Sequence, residues 1–170
     1  MSVSVEKTIK NLELNNIKAY YAENKAEVCK IVSDLLFDGA VITAGGSVSL
    51  KESGVWDIIE SGKYKFYDRA KPGITDEERL EAFKAAIGCD FFFCSSNAVT
   101  ENGELVNVDG TANRISSICF GPKNVIMIAG INKLVKNVDE GLLRIKRTAA
   151  PKNTERLKID APCRKLGHCV

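Results

Sequence analysis

The chain has one histidine, one tryptophan and four prolines in 170 residues, and each scarcity excludes something. A Ser/His/Asp triad would have to use His168, in a polar tail, which sets serine-hydrolase chemistry aside. No Pro/Ser-rich linker or low-complexity tract divides the chain, so one domain over residues 1–170 is expected, with 45% hydrophobic content to build its core. No apolar run approaches the ~18 residues of a membrane span. The start MSVSVEKTIKNLELNN lacks the cationic head and apolar centre of a signal peptide, so a cytoplasmic location is expected. Surplus positive charge is also missing. With 24 Lys+Arg against 22 Asp+Glu the net charge is +2, which argues against a general nucleic-acid binder. GxGxxG, Walker and CxxC spacings are absent.

What charge there is lies unevenly. Residues 143–170 hold eight basic side chains against Glu155 and Asp160, a pattern that fits either a solvated basic helix face or a surface for an anionic partner. Of six cysteines, Cys29, Cys89, Cys94 and Cys119 fall in apolar runs, where a reduced thiol behaves as a small hydrophobe. Cys163 and Cys169 differ, because they flank His168 in APCRKLGHCV. Two thiols and an imidazole fall short of four ligands, so no metal is assigned and these two remain the weak metal candidates.

Periodicity predicts a leading helix over about 3–14, a strand at IKAYY, and a helix opened by Asn24 and ended near Gly39. Strand AVIT, a glycine bend, a further helical pattern and strand YKFY follow. A capping box at Thr75 and Glu78 opens a helix over 75–87 whose Leu80, Phe83 and Ile87 should face inward. Strand DFFFC comes next, then NAVT and ELVNV flanking Glu101-Asn102-Gly103 as a hairpin, a helix from Thr111, strand NVIMIAG, and a last helix from Val138 stopping before Pro151. Strands alternating with helices, nearly all apolar, predict an α/β fold with a mostly parallel sheet covered on both faces and a β-hairpin insert. A basic, cysteine-containing tail occupies about 151–170.

Ligands of such sheets bind beyond the carboxyl ends of the strands. Thr43, Gly45, Gly46 and Ser47 form a strand-to-helix bend that reads as an anion cradle or as a tight turn with Ser47 as N-cap. In NVDGTANR, Asp109 is a candidate acid/base, Gly110 allows close approach, and Asn107, Thr111, Asn113 and Arg114 offer hydrogen bonds, Arg114 as a bidentate anion clamp. The plainer alternative is an Asp-Gly turn with Asp109 or Thr111 capping the next helix. Glu101 is a candidate nucleophile or acid/base, against the reading that ENG is merely a turn. Asn97 completes the ligand-binding set. The bend after Thr43 and the turn at Asp109 are expected to face each other across one opening.

These residues carry a resemblance. TAGGSVSLKESG over 43–54, SSNAVTENGELVNVDGTANR over 95–114, FGPKNVIMIAGINKLV over 120–135, and RTAAPKNTERL with APCRKLGHC near the end resemble the lactate-utilisation (LUD) domain family, in its small-protein branch. The resemblance implies the NagB/RpiA/CoA-transferase-like fold, an open Rossmann-like sheet. Residues 101–111 are similar to a segment of methylthioribose-1-phosphate isomerases, for whose acid/base Asp90 is the nearest match. Thr100-Glu101-Asn102-Gly103 is similar to the SENG of some CoA transferases, which holds their catalytic glutamate. LUD proteins are associated with lactate oxidation alongside iron-sulfur partners, and many relatives carry a longer cysteine-rich tail. This sequence stops at Val170, so either cluster ligation is absent or further ligands come from outside this chain, and no cluster is assigned to it alone.

Three functions follow as expectations: binding of a small phosphorylated or carboxylated metabolite at the sheet edge in lactate or organic-acid metabolism, a non-catalytic accessory role in an iron-sulfur lactate-oxidising complex, and CoA-transferase-like chemistry at Glu101. No cofactor is assigned. The candidate partners are a small anionic metabolite, iron-sulfur oxidoreductase subunits and a second copy of the chain, with no nucleic acid and no membrane span expected.

Overall fold

A computed structural model describes residues 3–169. Met1, Ser2 and Val170, the outer limits of the expected single domain and of its tail, lie outside the described residues. The elements in order are α1 (Val5–Leu14), α2 (Lys25–Leu35), β1 (Val41–Ala44), α3 (Val48–Glu52), α4 (Val55–Ile59), β2 (Lys65–Tyr67), α5 (Asp76–Ala85), β3 (Phe91–Cys94), β4 (Ala98–Thr100) and β5 (Leu105–Val106). They continue with α6 (Asn113–Cys119), β6 (Asn124–Met127), β7 (Leu134–Val135), α7 (Val138–Arg144), α8 (Ala150–Arg156) and α9 (Pro162–Leu166). The chain divides into two compact units, each built from separated stretches of sequence.

One unit comprises Ala22–Ser95 and Asp109–Ala129. Its four strands are all parallel in the order β2-β1-β3-β6, giving the α/β, open Rossmann-like sheet with helices on both faces. Successive side chains of a strand point to opposite faces, so a sheet covered twice needs apolar residues at every position. VITA and FFFC meet that need. Ile42, Phe91 and Phe93 pack with Val32, Leu50, Val55 and Ile59 from α2, α3 and α4. Phe92 and Cys94 turn the other way, against Ile118 of α6. Phe93 is fully buried, and its truncation to alanine would cost about 3–5 kcal/mol.

The capping box of α5 forms as expected, with Thr75 and Glu78 each accepting the other's backbone N–H. Its facing is a correction. Only Ala82 of α5 is buried, while Leu80 and Ile87 are 53% and 69% exposed and Phe83 40%. The helix meets β1 and β2 through its small residues, which leaves the large apolar ones at the surface. Two further corrections concern boundaries. The helix expected from Thr111 begins at Asn113, because Ala112 takes a left-handed φ of 58°. Residues 17–20 of IKAYY form no strand, since β propensity needs a pairing partner and none of the described strands lies beside them.

The second unit comprises the described parts of Met1–Tyr21, Ser96–Val108 and Gly130–Val170. The expected hairpin is present: β4 pairs antiparallel with β5, and parallel with β7 on its other side. Ala98, Val106, Val135 and Ile145 form the core. The leading helix begins at Val5 with Ser4 as N-cap. The last helix does not stop before Pro151. It passes through a π-helical turn at Ile145–Ala149, where the Ala150 N–H reaches back five residues to the Ile145 carbonyl, and continues as α8. Proline has no N–H and crowds the preceding turn of an α-helix. The wider π turn absorbs that, and the Lys146 carbonyl, five residues before the proline, accepts the Cys169 N–H at 2.8 Å instead.

Candidate functional site

The parallel sheet presents the ends of β1, β2, β3 and β6 along one edge. Directly after β1, the Gly45 N–H donates to the Phe93 carbonyl at 2.8 Å and so prolongs the ladder with β3. Neither glycine is demanded by crowding. A Cβ at Gly46 would meet nothing within 4 Å, and one at Gly45 would make ordinary contacts with Cys94, Phe92 and Arg114. The Ser47 hydroxyl accepts the Leu50 N–H and caps α3. Thr43 is buried, its hydroxyl 3.4 Å from the Cys89 sulfur, and burial pushes that thiol's pKa up.

The Asp109 turn arrives at the same edge. Asp109 Oδ2 accepts the N–H groups of Arg114 (3.0 Å) and Ile115 (2.8 Å), capping α6 from a distance in the chain. Its Oδ1 accepts Arg114 Nε at 2.9 Å and Nη2 at 2.6 Å, and Arg114 Nη1 donates to the Ser95 carbonyl at the end of β3. The pair is nearly enclosed, with side chains 9% and 14% exposed. The fork of Arg114 thus grips the protein's own carboxylate. Asn113 Oδ1 accepts the Thr111 hydroxyl at 3.1 Å, and a Cβ at Gly110 would meet nothing within 4 Å. The two bends do come together, but the aliphatic stem of Arg114 lies against Gly45.

Beside that contact, toward β2, is a crevice of about 10 Å³ lined by Thr43, Tyr67, Arg69, Phe92, Asn113 and Ser117, among others. Arg69 is the residue that the sequence reading missed. It stands two positions after β2, partly buried, with its guanidinium 5.4 Å from the centre of the Phe83 ring. Among the described residues no hydrogen bond or ion pair reaches that guanidinium. Burial pushes its pKa below the usual arginine value, opposed by the carboxylates of Asp109 and Asp68, and it remains charged. The signal in the sequence was a basic residue just past a strand's carboxyl end.

Asn97, Asn107 and Glu101 belong to the other unit. Asn107 Oδ1 accepts the Asn97 N–H at 3.2 Å and Asn97 Oδ1 accepts the Val108 N–H at 2.9 Å, so the two amides extend the hairpin ladder past its last backbone pair. Glu101 Oε1 accepts the Ser4 N–H at 2.6 Å and Oε2 pairs with Lys7 at 3.2 Å. These two donors, the Ser4 N–H first, hold its pKa below the usual carboxylate value. Asn11 and Asn15 of α1 donate to the carbonyls of Glu101, Asn102 and Gly103. At Gly103, with φ of 83°, a Cβ would stand 2.6 Å from the Asn11 backbone, so only glycine fits. The polar richness of this turn is spent on fastening α1. Asp90 lies at the opposite, amino edge of the parallel sheet, paired with Lys123 at 2.9 Å and accepting the Val41 N–H. That position keeps it from the carboxyl edge, where sheets of this kind generally bind ligands.

Cys163 is buried with its sulfur 3.5 Å from the Thr154 hydroxyl, and His168 Nδ1 lies 3.1 Å from the Leu166 carbonyl. Among the described residues no group of three or more His, Cys, Asp or Glu side chains is arranged to hold a metal, and no helix is long and apolar enough to cross a membrane.

The profile of one family, described as the LUD domain, matches residues 5–169, a span that includes nearly all of both units. No curated protein and no solved structure matches the chain significantly.

Proposed function

The chain belongs to the LUD domain family, a lactate-utilisation-related group, and from that premise we propose that it binds a small phosphorylated or carboxylated metabolite at the carboxyl edge of its parallel sheet, with Arg69 as the principal anion contact. The observation that carries this is the partly buried guanidinium of Arg69, held over Phe83 at the strand ends without a hydrogen-bonded acceptor among the described residues. A desolvated cation is costly until an anion meets it, and the planar guanidinium fork suits both carboxylate and phosphate. Thr43, Asn113 and Ser117 supply polar atoms around it.

Asp109 enters this reading as a positioning residue, not an acid or base, because four N–H donors already occupy its oxygens. It fixes Arg114 and the start of α6, and through them the side of the crevice that carries Asn113. Glu101 is given no chemistry, since its carboxylate is engaged by Ser4 and Lys7.

Thermal unfolding in phosphate, lactate and other small organic acids tests the proposal. A ligand at a hundredfold excess over its Kd adds about 2.7 kcal/mol of stability. The wild type should gain several degrees, and Arg69→Gln, which loses a partly buried cation–π contact worth about 0.5–2 kcal/mol and no hydrogen bond or ion pair among the described residues, should lose that gain while still folding. An undiminished gain in Arg69→Gln would reject the site.

A further inference from the structure

Resting on the anion site just proposed, we infer that its ligand is amphipathic: an anionic head at Arg69 and a short apolar chain lying in the groove between the end of α5 and α6. The crevice at Arg69 measures about 10 Å³, room for little more than one water-sized group, so the body of a metabolite must extend elsewhere. Next to it is a groove of about 350 Å³, within the range of small-molecule sites. Phe83, Ala86, Asn113 and Ser117 line both, which places the two depressions side by side, and Arg69 sits over the ring of one of those shared walls.

The groove's other walls are Ile87, 69% exposed, and Phe120, 81% exposed, with Cys119 beside them. Large apolar side chains left this open next to a cation fit a ligand that carries both characters. Just past Ile87 and Phe120 the two segments come together. The Gly88 N–H donates to the Gly121 carbonyl at 3.0 Å, and Gly121, at φ of 118°, lies so close that a Cβ there would be 3.2 Å from the Ile87 Cα. A chain running from Arg69 past Phe120 would meet that junction, which favours a short chain over a long lipid tail.

The test uses the full chain with two homologous series run in parallel below their micellar concentrations, n-alkanoates from acetate to octanoate and n-alkyl phosphates from methyl to octyl, because the guanidinium accepts either head. In at least one series each added methylene should tighten Kd about twofold to fourfold before a plateau. Phe120→Ser should flatten that slope, Arg69→Gln should weaken every member, and octyl but not methyl ligands should slow alkylation of Cys119. If short anions bind through Arg69 but chain length changes nothing, this inference falls and the anion site stands. If no anion of either head binds, the anion site falls with it. Should Phe120→Ser halve the mass in solution while leaving the slope intact, the groove is a subunit interface and the inference is wrong.

Discussion

Glu101 looked like a reacting group because it is a carboxylate in a polar turn, yet its environment is that of an anchor. Its pKa is depressed in the fold, chiefly by the Ser4 N–H and then by Lys7. A carboxylate with a lowered folded pKa contributes stability that is present above the ordinary value of 4.5 and lost as pH falls through the lower folded value. Glu101→Gln should therefore have a lower urea midpoint than the wild type at pH 7, with the gap narrowing as pH falls below 4.5. A gap that stays the same size as the carboxylate is titrated would mean that charge has no part in fastening α1. The contrast with Arg69 is instructive. Residue type and local spacing identified Glu101 and could not weigh what surrounds it, whereas Arg69, in no motif, acquires meaning only from the walls around it.

At the scale of the element, α7 meets the hairpin through a glycine. A Cβ on Gly141 would approach Val106 Cγ2 to 2.9 Å and the Ala98 Cβ to 3.5 Å. Helix propensity alone favours alanine over glycine by about 0.5–1 kcal/mol, but overpacking costs about 1–3 kcal/mol, so Gly141→Ala should destabilise. In a Val106→Ala background the nearest obstruction is gone, though the Cβ at position 106 would still lie 3.3 Å away, and the same change should cost clearly less, a coupling of about 1 kcal/mol in a chemical-denaturation cycle. Strict additivity would show that the two residues are not in contact. Element type was readable throughout most of the chain: the parallel strands from their unbroken apolar runs, α5 from its capping box, the hairpin from Asn-Gly. Direction and extent were less so. The apolar stripe of α5 said which face was greasy, not whether anything covers it, and the helix through Pro151 depends on a π turn whose carbonyl is satisfied from Cys169, 18 positions after the proline.

Across the whole molecule the six cysteines form no disulfide among the described residues, and they differ widely in access. Cys119 is exposed, Cys29 and Cys169 are partly covered, and Cys89, Cys94 and Cys163 are buried. A thiol-specific reagent added to native protein should label Cys119 promptly and spare the three buried thiols until denaturant is added, as read by peptide mass spectrometry. Prompt labelling of Cys163 in the native chain would contradict the packing of the tail helices. By itself the sequence determined the α/β class, the parallel order of strands and helices and the hairpin, because these rest on periodicity and turn chemistry, both local along the chain, and its segments carried the resemblance to the family. Only the tertiary structure decided which polar residues are committed to holding the fold, as in Asp109 with Arg114 and Glu101 with Ser4, and which cation is left over at the strand ends. The partners of Glu101, Ser4 and Lys7, are distant in the chain, and although Asp109 and Arg114 are neighbours in sequence, their local pattern fits either a capping turn or an open site, and the packing around them decides between the two.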